Sequence, residues 1–222
     1  MKLLALDSAT EACSAALLRD DAISERFEII GRGHAERLLP MADALLQEAG
    51  IGIGDVDAIA FGRGPGSFTG LRIAAGIAQG LAAGARLPVV PVSNLAAIAA
   101  AGARLTGAKN ILACLDARMG EVYWAAYEMR DGMPVAVTDE RLSKPDDVAP
   151  PHAGPWHGSG HGFGAYPALA ERLGLLPAGI DATLPRASDI ARLGAVDLAA
   201  GRTVAAPRAL PVYLRNDVVH RR

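Results

Sequence analysis

The sequence predicts an α/β protein of two units, each a mixed β-sheet with flanking helices, and three observations carry that prediction. Strand-like and helix-period stretches follow one another in the order β-β-β-α-β-α-β-α from residue 2 to a helix opening at Ser93 or Asn94. The run ILACLD ending at Asp116 then echoes LLALD ending at Asp7, and each is followed by a turn and a strand. With 222 residues the chain has the length for two such units. They are expected at 1–105 and 106–222, the last segment packing back on the first.

The first three strands are expected at 2–7, 12–18 and 22–30, divided by the turn signals Ser8-Ala9-Thr10 and Arg19-Asp20-Asp21. A helix over 34–49 follows, with Leu38, Leu39, Ala42, Leu45 and Leu46 on one face and Gly50 as its stop. Next come a strand over 55–61, a helix ending near Ala83, and a strand over 88–92. In the second unit the strand 111–116 turns through Ala117-Arg118-Met119-Gly120 into a strand over 121–128. Proline and glycine over 149–164 then mark a surface connection, leaving His152, His157 and His161 as exposed loop residues.

Composition excludes several classes of function. A hydrophobic content of 51% with 21% charged residues belongs to a folded chain. The 22 basic and 24 acidic residues give a net charge of −2, and the short basic tail His220-Arg221-Arg222 is no phosphate-neutralising stripe. Aromatic residues for base stacking amount to 5%, which disfavours a free-standing RNA-binding module. No apolar stretch reaches the roughly 20 residues of a membrane span. With no leader pattern at Met1-Lys2, Cys13 and Cys114 are expected as reduced core residues of a cytoplasmic protein.

The segment 62–72, GRGPGSFTGLR, joins a strand pattern to a helix pattern. Gly62, Gly64, Gly66 and Gly70 tolerate positive φ, Pro65 fixes a dihedral, and Ser67 or Thr69 can cap a helix beginning near Leu71 and Arg72. Such a loop can hold an anion or fit tightly against a partner, the plainer alternative being a structural turn. A P-loop needs Lys and then Ser or Thr after its last glycine, and here Gly70 precedes Leu71 and Arg72. The dinucleotide fingerprint fails too, because the sixth positions counted from Gly62 and Gly64 are Ser67 and Thr69. In the helix that follows, Gly76, Gly80 and Gly84 recur every four residues and so line one side. Each costs about 1 kcal/mol against alanine, so close approach of another helix, in the same chain or a partner, is the expected compensation.

LALDSAT (4–10), HAERLLP (34–40), GPGSFTGLRIA (64–74), DARMGEVYWAAY (116–127) and PVYLRNDV (211–218) together resemble the TsaB (YeaZ) family over nearly the whole chain. That resemblance implies an actin-like ATPase, or ribonuclease H-like, fold in two lobes. It implies a non-catalytic dimerisation and activating subunit for a TsaD-like catalytic subunit, which transfers a threonylcarbamoyl group to the adenosine beside the tRNA anticodon. The implied partners are that subunit, a TsaE-like ATPase in the assembled complex, a second copy when the chain is alone, and tRNA only through the complex.

No catalytic residue or metal ligand is assigned. In the related catalytic subunits two histidines one helical turn apart help hold a metal, whereas here His34 is matched by Leu38. The partner interface is expected on His34, Leu38, Leu39, Ala42, Leu45, Leu46, Gly76, Gly80 and Gly84. Asp7, Ser8 and Thr10 resemble the first phosphate turn of the actin-like fold, while Ala117, Arg118 and Met119 degrade the second. No cofactor is required by the chain alone, with ATP expected only within the complex. The competing reading is a self-sufficient nucleotide-hydrolysing or phosphoryl-transfer enzyme of the same fold.

Overall fold

A computed structural model describes residues 1–177 and 183–215. The tail at 220–222 and the end of the PVYLRNDV motif, 216–218, lie outside the described residues. The chain divides into two compact units, one of residues 1–97 and 184–211, the other of residues 98–183 and 212–222. The division therefore falls earlier than 105/106, and 184–211 belongs with the first unit.

The first unit opens with the expected meander, β1 (Lys2–Asp7), β2 (Ala12–Arg19) and β3 (Ala22–Ile29). With β4 (Ala58–Gly64) and β5 (Val89–Ser93) they form one sheet in the order β3-β2-β1-β4-β5. β1 pairs antiparallel with β2, Leu4 opposite Leu17, and parallel with β4, Ala5 opposite Ala60. Successive side chains of a strand face opposite ways, and both faces are used. Leu4, Leu6, Cys13, Leu17, Ile59 and Phe61 pack under α1 (His34–Glu48) and α2 (Phe68–Ala85). Leu3 and Ala60 meet α6 (Ala187–Ala199), where a Cβ on Gly194 would lie 3.0 Å from the Ala60 Cβ. The first turn of α6 is held by the sheet: Ala187 N–H donates to Ser14 Oγ (3.0 Å) and Ser188 N–H to Glu25 Oε1 (2.9 Å). Glu25 also pairs with Arg186 (2.9 Å), a negative charge at a helix N-terminus being favourable.

Two boundaries around the glycine segment differ from expectation. The strand starts later, after a short 3₁₀ turn at Ile53–Asp55, and runs on into the segment, where Gly62 pairs with Val92 and Gly64 with Ser93 around a bulge. Helix α2 begins at Phe68, so only residues 65–67 remain as loop. Ser67 occupies the N-cap position without a side-chain cap bond. Helix α3 (Asn94–Thr106) is capped by Ser93, whose Oγ accepts from Ala96 N–H (3.1 Å).

In the second unit, β6 (Asn110–Arg118) and β7 (Glu121–Arg130) form an antiparallel hairpin whose tip, Arg118, Met119 and Gly120, has φ of 61°, 58° and 78°. β8 (Met133–Ala136) and β9 (Arg141–Ser143) both pair with β7. The stretch 149–164 is not a plain surface connection. It contributes β10 (His157–Ser159), parallel to β6, and the short α4 (Gly162–Ala165), after which comes α5 (Pro167–Leu173). Its glycines serve close packing: a Cβ on Gly160 would lie 2.1 Å from the Cys114 carbonyl oxygen, and one on Gly162 2.5 Å from Cys114 Sγ. His157 and His161 are accordingly half-buried, and only His152 is exposed. Cys13 and Cys114 are free and buried, as expected.

Candidate functional site

The glycine segment and the Asp7 turn lie against each other in the first unit. Asp7 is fully buried at the end of β1, and its Oδ1 accepts from Asn94 Nδ2 (2.6 Å). Asn94 Oδ1 in turn accepts from Gly64 N–H (2.8 Å). Ser8 Oγ donates to the Gly70 carbonyl (2.8 Å), and Ser67 N–H donates to the Ala9 carbonyl (2.7 Å). Thr10 Oγ1 accepts from Ala12 N–H (3.2 Å), and its carbonyl meets His34 Nε2 (3.0 Å). The hydroxyls and carboxylate that resembled a phosphate turn are thus engaged by the chain itself.

Three glycines permit this approach by lacking a side chain. A Cβ would lie 2.1 Å from Asp7 Oδ1 at Gly62, 2.5 Å from the Ala9 carbonyl oxygen at Gly66, and 1.8 Å from the Ser8 carbonyl oxygen at Gly70. At Gly64 the requirement is conformational, with φ at 113°. Burial pushes the Asp7 carboxyl up to about 7, against the smaller opposite pull of its bonds from Asn94 and Ala9 N–H. The Cys13 thiol on β2 is raised to about 11, first by burial and then by the nearby Asp7 charge.

In the second unit the other turn is also tied inward. Asp116 accepts from Arg118 N–H (2.8 Å) and from Tyr166 Oη (3.4 Å), and pairs with the Arg118 guanidinium (3.1 Å). Arg215 donates to the Ala117 carbonyl (3.2 Å) and pairs with Glu121 (2.7 Å). Among the described residues no group of three or more His, Cys, Asp or Glu is placed to hold a metal ion. No described helix is long and apolar enough to cross a membrane.

The expected interface residues separate into two sets. Leu38 and Leu45 are buried in the first unit's core, which corrects their assignment to a partner surface, while Ala42 and Leu46 are largely buried but line the floor of an open groove. An amphipathic helix buries its apolar stripe against its own sheet before any partner arrives. Leu39 remains 46% exposed, and with Leu46, Ile51, Ile53 and Leu81 it lines a groove of about 210 Å³. Gly76, Gly80 and Gly84 face solvent, and a Cβ on any of them would meet nothing within 4 Å. Close packing within the described chain therefore does not account for the stripe. At the head of the same helix the Arg72 guanidinium stacks 3.8 Å from the Phe68 ring. The sequence pattern marks Asn94 only as a place where a helix opens and gives Phe68 no role.

Two mixed sheets with flanking helices and an aspartate at the end of the leading strand define an actin-like, ribonuclease H-like fold. The family model described as TsaD: tRNA N6-adenosine threonylcarbamoyltransferase matches residues 26–162. The tRNA threonylcarbamoyladenosine biosynthesis protein TsaB of Escherichia coli is 45% identical, the alignment covering 98% of this chain and 96% of that protein. Its Haemophilus influenzae namesake is 40% identical over 98% and 95%. The structure of YeaZ from Pseudomonas aeruginosa superposes with a TM-score of 0.89 at 46% identity, covering 96% of this chain and 99% of that one. The chain belongs to the TsaB family, and its role lies in tRNA threonylcarbamoyladenosine biosynthesis.

Proposed function

We propose that this chain is a non-catalytic, activating subunit, docking through the exposed face of α2 on a TsaD-like catalytic subunit that performs threonylcarbamoyl transfer. The observation that carries this reading is a contrast within one unit. The groups of the phosphate turn are spent on the chain's own glycine segment, while Gly76, Gly80 and Gly84 leave a bare helix face in solvent. Asp7 has one oxygen on Asn94 and the other facing Ala9 N–H (3.4 Å), a poor arrangement for organising a magnesium ion. A backbone surface without side chains suits close helix-to-helix docking. The same face serves a second copy when the chain is alone. In the assembled complex a TsaE-like ATPase joins, tRNA is met only through the catalytic subunit, and any ATP is held with partner residues, all in the cytoplasm.

Reconstitution tests the reading. The purified chain alone should show neither ATP turnover nor threonylcarbamoyl transfer, and transfer should appear with the catalytic subunit and rise until this chain is stoichiometric. Robust ATP turnover by the isolated chain that disappears in Asp7→Asn would favour the phosphoryl-transfer alternative instead.

A further inference from the structure

Asn94 is fully buried at the start of α3, and one face of its amide lies against the backbone of β4. A Cβ on Gly62 would stand 2.7 Å from Asn94 Nδ2 and 2.9 Å from its Oδ1, so the amide fits only because residue 62 is glycine. Its orientation follows from its partners. A backbone N–H can only donate, so Oδ1 must face Gly64 N–H (2.8 Å), which turns Nδ2 toward Asp7 Oδ1 (2.6 Å).

We propose that Asn94 is the positioning residue of the glycine segment, a single amide that fixes Gly64 to the Asp7 turn and thereby sets where α2 begins. Without it, Gly64 N–H and Asp7 Oδ1 become a buried donor and acceptor with no common partner, which destabilises the junction of β4 and the loop. The carboxyl it holds is also faced by the Ala9 amide of its own turn, Ser14 of β2 stands opposite Asp7 across the sheet, and its charge acts at longer range on the Cys13 thiol of β2. The effect on the loop is a property of the isolated chain. The effect on activation rests on the reading of α2 as the partner face.

Amide hydrogen exchange in the full chain tests it, with protection factors read at Gly64 and Ser67 and, as a control, at Ala16, which stands opposite Ala5 in the β1–β2 ladder. Asn94→Ala should lower protection at Gly64 about tenfold or more and leave Ala16 unchanged. In Asn94→Asp two carboxyl groups would face each other where a 2.6 Å bond now lies. They hold together only while sharing a proton, so protection should be near normal at pH 5.5 and lost at pH 8.5. The double variant Asp7→Asn with Asn94→Asp should restore protection at both pH values. With the two groups exchanged, the amide now at position 7 donates to the carboxylate at position 94 and takes the Ala9 N–H on its own oxygen. That carboxylate still accepts from Gly64 N–H. Unchanged Gly64 protection in Asn94→Ala overturns the proposal. Should that variant fail to fold, Asn94→Asp and the double variant decide, and a double variant no better protected than the single overturns it. Variants that lose loop protection should also activate the catalytic subunit less. Lost protection with full activation leaves the positioning role standing and removes α2 as the activating face.

Discussion

Alanine at Gly70 and alanine at Gly80 should change stability in opposite directions although both replace a glycine of α2. At Gly70 the new Cβ would fall 1.8 Å from the Ser8 carbonyl oxygen and 3.0 Å from its carbon, backbone atoms that cannot swing aside. The Asp7 turn and the helix must then part, an overpacking cost of about 1–3 kcal/mol. Losing the buried Ser8 Oγ to Gly70 carbonyl bond adds about 1 kcal/mol, and helix propensity returns at most about 1 kcal/mol. The net loss is about 1–3 kcal/mol. At Gly80 nothing lies within 4 Å, so only propensity acts, a gain of about 0.5–1 kcal/mol in the isolated chain. Both tryptophans, Trp124 and Trp156, lie in the second unit, so urea unfolding is followed by far-UV circular dichroism rather than by their fluorescence. Gly70→Ala at wild-type stability, or Gly80→Ala clearly below it, would refute the reasoning.

The buried Asp7 carboxyl predicts a pH dependence of known sign. Its folded pKa is raised from 3.8 to about 7, so its contribution to stability is fully present below 3.8 and lost as pH rises through about 7, a change of a few kcal/mol at most. The stability difference between wild type and Asp7→Asn, measured by urea unfolding at pH 5 and pH 8, should therefore move against wild type at the higher pH; a constant difference contradicts it. On α1, Leu39→Glu should leave the melting temperature nearly unchanged while weakening self-association in sedimentation. Leu45→Glu places a charge in the core and should unfold the first unit, so a folded Leu45→Glu chain would contradict the packing described.

Much of the fold was legible because both faces of the first sheet are apolar and its turns carry polar or glycine signals. The meander and the helices at 34 and after 68 follow from those patterns. What sequence pattern could not separate was the purpose of a glycine. Gly158, Gly160 and Gly162 look like loop residues, yet each abuts a Phe163 or Cys114 atom, and the close approach that requires them is invisible in local sequence. Gly76, Gly80 and Gly84 read as close-packing residues whether the neighbouring helix belongs to the same chain or to a partner, and only the fold shows that nothing in the described chain packs on them. The leucines of α1 share one stripe whether it covers a sheet or a partner, so their burial could be settled only by the fold. In the candidate site the glycine segment was visible as a shaped element, but its contact with the Asp7 turn joins positions 62 residues apart for Ser8 and Gly70 and 87 apart for Asp7 and Asn94. No short-range signal marks Asn94 as their link.

Gly80→Leu tests the central claim most directly, because it fills the bare face of α2 without touching the chain's own packing. A leucine there meets open space in the isolated chain and raises helix propensity. The variant should therefore melt at or above the wild-type temperature while self-association in sedimentation and capture of the catalytic subunit both fall sharply. A variant that melts early would mean that the face is packed within the chain. One that stays folded and associates as wild type does would mean that α2 is not the docking surface.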